Sequence, residues 1–190
     1  MNQSDYARLR PDLVLDAVES LGYLSDARVL ALNSYENRVY QVGIEDEEPL
    51  IAKFYRPGRW SNAQIQEEHD FAFALAEQEI PMIAPLIKDG ASLFEYEQYR
   101  FALYPRRGGY APELDNLDTL YTLGQHLGRL HAVGAVTPFK HRPAISIANF
   151  AEDSRAFILQ QQLVPSSLQE AYSTLTAHLI EKIRSVYDET

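Results

Sequence analysis

Lys53 is the residue whose placement most invites chemistry. It lies in Leu50-Ile51-Ala52-Lys53-Phe54-Tyr55, a short strand-like run. Successive side chains of a strand point to opposite faces, so Lys53 aligns with Ile51 and Tyr55 while Leu50, Ala52 and Phe54 point the other way. Both faces are largely apolar, and an ammonium group there loses hydration unless an anion meets it. Glu67 and Glu68 offer that anion on a helix expected from Ser61 to about Glu79. Glu68 lies three residues after Ile65, four before Ala72 and seven before Leu75. It therefore sits nearer the middle of the apolar stripe and is taken as the partner of Lys53, with Glu67 as the alternative. Such a pair, joining strand to helix, can hold and orient phosphate oxygens. The plain reading of the same residues is an edge-strand lysine and a solvated pair of glutamates.

A second feature is the tip Asn33-Ser34-Tyr35-Glu36-Asn37 between two β-rich runs, 28–32 and 38–44. A turn with many backbone N–H groups, a hydroxyl and small amides can surround phosphate oxygens, and Ser34 and Asn37 are the side chains best placed to help. Asn and Ser also favour any turn, and asparagine tolerates left-handed backbone. Arg106 and Arg107 are candidates for phosphate contact in Pro105-Arg106-Arg107-Gly108-Gly109, although paired arginines in an exposed linker are commonly just solvated. His69 and His131 are assigned no chemistry. His131 reads as a hydrogen-bonded core residue.

Several elements must position these groups. Pro11 to Leu21 reads as a helix stopped by Gly22. The runs 28–32 and 38–44 form a hairpin, and the acidic tract Glu45-Asp46-Glu47-Glu48-Pro49 is a solvated turn leading to the Lys53 strand. Ser61 and Gln64 form an S-x-x-Q capping signature for the long helix. Three β-like runs follow Pro81 and Pro85, at 86–88, 92–96 and 99–104. Residues 105–109 cannot continue a regular strand and read as a hinge. Beyond it lies Asp115 to Ala132, a helix whose Gly124 and Gly128 would admit another helix, and helical patterns from 146 to 162 and 165 to 187. The domains expected are 1–104, a hinge or linker at 105–114, and a partial helical lobe at 115–190.

Composition narrows the function classes. The 190 residues are 46% hydrophobic, enough to bury a core. With 27 acidic against 17 basic residues the net charge is -10, which opposes binding to nucleic acid or anionic membranes. There is no cysteine, hence no disulfide, thiolate metal site or cysteine nucleophile. No apolar run approaches membrane-spanning length, and Met1-Asn2-Gln3-Ser4-Asp5 lacks the character of a signal peptide, so a cytoplasmic protein is expected.

Leu32-Asn33-Ser34-Tyr35-Glu36-Asn37-Arg38-Val39-Tyr40-Gln41, Lys53-Phe54-Tyr55-Arg56-Pro57, Gln64-Ile65-Gln66-Glu67-Glu68-His69 and Leu127-Gly128-Arg129-Leu130-His131 together resemble the stress response kinase A family of bacteria. The resemblance runs in order from about Pro11 to the end. It implies an α+β, protein kinase-like fold, similar to the aminoglycoside and choline kinases. That fold comprises a five-stranded antiparallel amino-terminal lobe with one main helix and a helical carboxy-terminal lobe, incomplete here. It also implies a cytoplasmic, Mg²⁺- and ATP-dependent serine/threonine protein kinase linked to survival of oxidative and envelope stress. By matching position, Ser34 would touch ATP, Lys53 would bind its phosphates, Glu68 would orient Lys53, and the backbone from Leu103 through Tyr104 to Arg106 would meet the adenine.

One part of the pattern departs. A kinase needs an aspartate near the attacking hydroxyl, and an asparagine and a second aspartate on Mg²⁺. His141-Arg142-Pro143 has proline where the aspartate should stand, and Asn149 is one residue too far along. The catalytic loop and the metal ligands are therefore expected beyond Thr190, with no catalytic residue in this chain. Its inner helical faces, including those of Phe157, Leu175 and Ile183, are expected to be exposed and prone to associate. The alternatives to a protein kinase portion are a nucleotide-binding or scaffolding module without transfer activity, and part of a small-molecule kinase. The acceptor substrate is not legible.

Overall fold

A computed structural model describes residues 6–187, so the segment from Met1 to Asp5, read above for targeting, lies outside the described residues. The chain divides into two compact units, Met1–Arg142 and Pro143–Thr190. The first holds helices α1 (Pro11–Glu19), α2 (Asn62–Glu77) and α3 (Leu117–Val136), and strands β1 (Ser25–Leu32), β2 (Arg38–Ile44), β3 (Leu50–Phe54), β4 (Phe94–Tyr96) and β5 (Tyr99–Pro105). The strands form one sheet in the order β1-β2-β3-β5-β4, every pair antiparallel. The expected α+β, kinase-like architecture with a five-stranded antiparallel sheet is present.

Alternation along β3 decides which side of the sheet does what. Leu50, Ala52 and Phe54 are buried and pack in one core with Val14, Ala17 and Val18 of α1 and with Phe101 and Leu103 of β5. Ile51 and Lys53 point to the opposite face, where Ile65 of α2 packs on Tyr55 and Ala102. The helix α2 starts where its capping signature places it. Ser61 Oγ accepts from the Gln64 backbone N–H, and the Gln64 side chain accepts from the Ser61 N–H.

Several local expectations change. β1 begins at Ser25 rather than Arg28, with an irregularity in register before Val29 and Ala27 at φ 65°. The Asp26 carboxylate lies over Gly43, so a Cβ there would have to displace that side chain. The asparagines of the 33–37 tip have ordinary φ, whereas Asp46, Asp89 and Glu97 in other turns have positive values. The run 86–88 is not a strand. Lys88 forms an isolated bridge to Ala91, and the Leu86 N–H donates to the Leu103 carbonyl at 2.7 Å. β5 extends through Pro105, the last residue of the strand.

α3 buries none of its residues. His131 is exposed, contrary to its reading as a core histidine, and no atom approaches the space above Gly124 or Gly128. The face carrying these residues is left uncovered because α3 meets α2 near its other end. There Gly134 faces Phe71, with 3.6 Å to the nearest ring atom from a Cβ built on it, and Arg129 donates to the Gln78 carbonyl at the carboxy-terminus of α2. The second unit contains α4 (Asp153–Gln160), entered through a π-turn at Ala148–Glu152, and α5 (Gln169–Arg184). Arg155 ties the two together by donating to Thr176 Oγ1 at 2.9 Å and to the Ser173 carbonyl at 3.0 Å. Phe157, Leu175 and Ile183 are exposed, as expected of them. Among the described residues, no helix is long and apolar enough to cross a membrane.

Candidate functional site

Lys53 and Glu68 meet: the ammonium Nζ lies 2.6 Å from Glu68 Oε1, with side chains 21% and 33% exposed. Partial burial matters here, because a fully solvated pair of this kind would be worth little. The register explains the approach. Lys53 pairs across the sheet with Val39 on one side and Ala102 on the other, at the sheet's centre rather than its edge, and its side chain emerges toward α2. The edge-strand reading of this lysine therefore fails. Its ammonium also stands over the Tyr55 ring, 4.8 Å from the centroid.

The pair lies on a cleft of about 510 Å³, whose walls are Leu32, Val39 and Ile51 from the sheet, Ala72 from α2, and Met82 and Ile83 from the following loop. Tyr104, Pro105 and Arg107 close another side. Such a space offers apolar surface beside two cations, Lys53 and Arg107. A second cavity of about 480 Å³ lies along the other flank of α2, between Ala63, Glu67, Ala74 and the segment 137–141; it excludes Lys53.

The other candidates are placed less directly. Ser34 and Asn37 are on the tip joining β1 to β2, outside the lining of the cleft. That tip is anchored rather than loose. Glu36 Oε1 accepts from Arg59 Nε at 3.0 Å and Trp60 Nε1 at 2.9 Å, and Asn37 Oδ1 accepts from the Arg56 N–H at 3.4 Å. Leu103 is buried in the core, and its carbonyl is taken by Leu86. Tyr104 lines the cleft, and Arg106 Nε donates to Gln41 Oε1 at 3.1 Å, outside it.

Sequence reasoning missed three groups. His69, fully buried, occupies the middle of the α2 stripe, with Glu68 at its rim. Its Nε2 lies 2.7 Å from the Tyr55 hydroxyl and its Nδ1 2.8 Å from Ser92 Oγ, while the Tyr104 hydroxyl is 3.3 Å from that of Tyr55. One tautomer satisfies every member: Tyr104 donates to Tyr55, Tyr55 to Nε2, and Nδ1–H to Ser92. Burial pushes the His69 pKa down and raises Tyr55, and it pushes Tyr104 up to about 12. The network beneath Lys53 is thus neutral.

Glu67 is the second group, and Arg142 the third. The Glu67 carboxylate accepts the backbone N–H groups of Lys140, His141 and Arg142, the last at 2.8 Å. Desolvation works to raise its pKa, but those N–H donors outweigh it and hold the carboxyl below its ordinary value. Arg142 forms an ion pair with Glu68 Oε2, on the oxygen that Lys53 leaves free. No sequence spacing could have joined residues this far apart, although the adjacent glutamates and the single tryptophan were visible.

A model of the phosphotransferase enzyme family matches residues 28–185. The chain is 39% identical to a protein named serine/threonine protein kinase RdoA of Salmonella typhimurium, covering 96% of this chain and 56% of that one. It is 38% identical to the stress response kinase A of Escherichia coli, covering 100% and 58%. The chain thus spans little more than half the length of the curated relatives it matches. Among solved structures, an amicoumacin kinase in complex with AMP-PNP, Ca²⁺ and Ami superposes with a TM-score of 0.77 at 20% identity, covering 100% of this chain and 58% of that one. A microcompartment-associated aminopropanol kinase gives 0.56 at 19% identity, covering 79% and 55%. Both show the fold.

Proposed function

This chain belongs to the phosphotransferase enzyme family, and from that premise we propose that it is the nucleotide-binding portion of an ATP-dependent serine/threonine protein kinase of the stress-response type. One observation carries the reading: Lys53 is held by Glu68 at 2.6 Å on an apolar cleft about 510 Å³ in volume. ATP supplies the phosphoryl group when bound. Lys53 binds phosphate oxygens, and Glu68 keeps the ammonium aimed at them, so that little reorganisation remains when the nucleotide arrives. Leu32, Val39 and Ile51 provide the apolar surface for the adenine. The backbone from Tyr104 to Arg106 meets its edge, and Leu103, its carbonyl already engaged, contributes by fixing that strand. Ser34 and Asn37 bring the tip's polar groups to the phosphates, with Arg107, which lines the cleft, as a further cation.

The Mg²⁺ implied by the resemblance does not fit the residues at hand. Among the described residues no group of three or more His, Asp or Glu is placed to hold a metal ion. We assign its carboxylates, and the base for the acceptor hydroxyl, to the part of the relatives' length that this chain does not span. A protein acceptor is preferred to a small molecule because the relative named a serine/threonine protein kinase is 39% identical, against 19–20% for the small-molecule kinases. The cell compartment proposed is the cytoplasm.

The test is a titration of the ¹⁵N-labelled chain with AMP-PNP. Amides of Ser34, Asn37 and the Lys53 strand should shift more than those of Glu45 to Glu48. Lys53→Met and Glu68→Gln should each weaken affinity about ten- to a hundredfold, the 1.5–3 kcal/mol of a hydrogen bond to a charged group. Uniformly negligible shifts at saturating nucleotide, or unchanged affinity in Lys53→Met, would sink the reading.

A further inference from the structure

His141-Arg142-Pro143 lacks the aspartate of a catalytic loop, yet the segment that contains it is fastened along α2 by a dense set of contacts. Glu67 gathers its three backbone N–H groups, as described. The Gln64 side-chain amide donates to the His141 carbonyl at 2.9 Å, and the Gln64 carbonyl accepts from Arg142 Nε at 3.0 Å. Phe139 meets Phe71 edge-on, with 5.3 Å between centroids. The Arg142 guanidinium lies 4.7 Å from the centroid of Trp60, the same indole whose Nε1–H donates to Glu36 on the tip.

We propose that Arg142 is a positioning residue for the Lys53–Glu68 pair, and that residues 139–142 act as a strap setting the orientation of α2 against the nucleotide cleft. This rests on the nucleotide-binding reading above. The two carboxylate oxygens of Glu68 are divided between Lys53 and Arg142. A lone ammonium leaves a carboxylate free to rotate, because its three donors have no fixed plane. A guanidinium is planar, and this one is held at Gln64, at Glu68 and on the Trp60 face, so it fixes the carboxylate plane and aims the second oxygen at Lys53. Competition between the cations is the opposing effect. The geometry decides against it, since each cation has its own oxygen and both contacts exist together. Pro143 disfavours helical backbone at Arg142. The same side chain reaches the tip through Trp60 and Glu36, so one residue connects Ser34's turn, α2 and the lysine. Arg142 does not itself line the cleft and reaches it through Glu68, which does.

The experiment measures AMP-PNP affinity of the chain for wild type, Arg142→Gln, Arg142→Lys, Glu68→Gln and the double variant Arg142→Gln/Glu68→Gln, with urea unfolding alongside. Arg142→Gln should weaken binding about three- to thirtyfold, and add less than about twofold in the Glu68→Gln background, because the effect passes through Glu68. Arg142→Lys, which keeps the charge without the planar fork, should fall between. A role in stability alone would instead lower affinity equally in both backgrounds; that outcome, or unchanged affinity in Arg142→Gln, overturns the proposal. If Arg142→Gln does not fold, Arg142→Lys decides: affinity equal to wild type overturns the proposal, and a loss supports it. A wild-type chain that fails to bind AMP-PNP refutes the nucleotide reading, and hydrogen exchange then tests the strap. Amides of residues 64–70 should lose protection in Arg142→Gln but not in Arg59→Gln, whose guanidinium also stacks on Trp60. Equal protection in the two variants overturns the strap.

Discussion

His69 illustrates how a residue without reactive chemistry can hold a site in place. It carries no charge at neutral pH because burial disfavours the imidazolium, and its two nitrogens join Tyr55 on the sheet to Ser92 on the loop before β4. Replacing it with phenylalanine keeps a ring in place but removes a hydrogen-bond partner from both the Tyr55 and Ser92 hydroxyls, so His69→Phe should cost on the order of 1–3 kcal/mol, read from urea unfolding. The pH dependence follows from the depressed folded-state pKa. The unfolded chain takes up the proton first, near pH 6.5, so this contribution to stability is present above that value and is lost progressively as pH falls below it. His69→Phe should flatten the acid limb of the stability curve below about pH 6.5. An unchanged slope would show that the histidine titrates alike in both states.

At the scale of the element, α2 carries most of the site. Its Ser61–Gln64 cap holds the first turn, and the Gln64 amide serves twice, accepting from the Ser61 N–H and donating to the His141 carbonyl. Ser61→Ala should lower stability by about 1 kcal/mol, as loss of an N-cap does. Gln64→Glu separates the two functions: it retains the acceptor for the cap but replaces the donor to His141 with a second acceptor. The expected result is a nearly unchanged melting temperature with faster amide exchange at residues 140–142. A loss of stability in Gln64→Glu as large as that in Ser61→Ala would show that cap and strap are not separable. The sheet side of the site needs no such support, because β3 is hydrogen-bonded on both edges, to β2 and β5.

For the whole molecule, the distribution of parts predicts binding without turnover. The described residues supply a cleft, a cation and its partner, and no cluster for a metal ion. The terms that dominate phosphoryl transfer are metal neutralisation and a base at the attacking hydroxyl. In a radiolabelled-ATP assay the chain should show no transfer above that of its Lys53→Met variant. Transfer that Lys53→Met abolishes would place the missing carboxylates within these 190 residues. The uncovered apolar side chains of both units, Leu117 and Leu127 on α3 and Leu175 and Ile183 on α5 among them, make high protein concentration an unsuitable condition for that assay.

What could be read from residue order was local. The S-x-x-Q cap, the period of α2, the alternation around Lys53 and the strand bounds of β2 all depend on neighbours a few positions apart, and local backbone geometry enforces them. The choice of Glu68 over Glu67 came from the same helical spacing. Spacing could not show that Glu67 would turn to the opposite flank and hold three N–H groups, nor that His69 would take the middle of the stripe. Likewise the apolar face of α3 reads as a core face at Leu117, Leu120 and Leu127, yet stands uncovered, because periodicity states which side chains share a face and not what meets it. Arg142 and Glu68 lie 74 positions apart. Their contact exists because the chain leaves α3 and returns along α2, a path that only the packing of Phe139 on Phe71 and of Gly134 against the same ring decides.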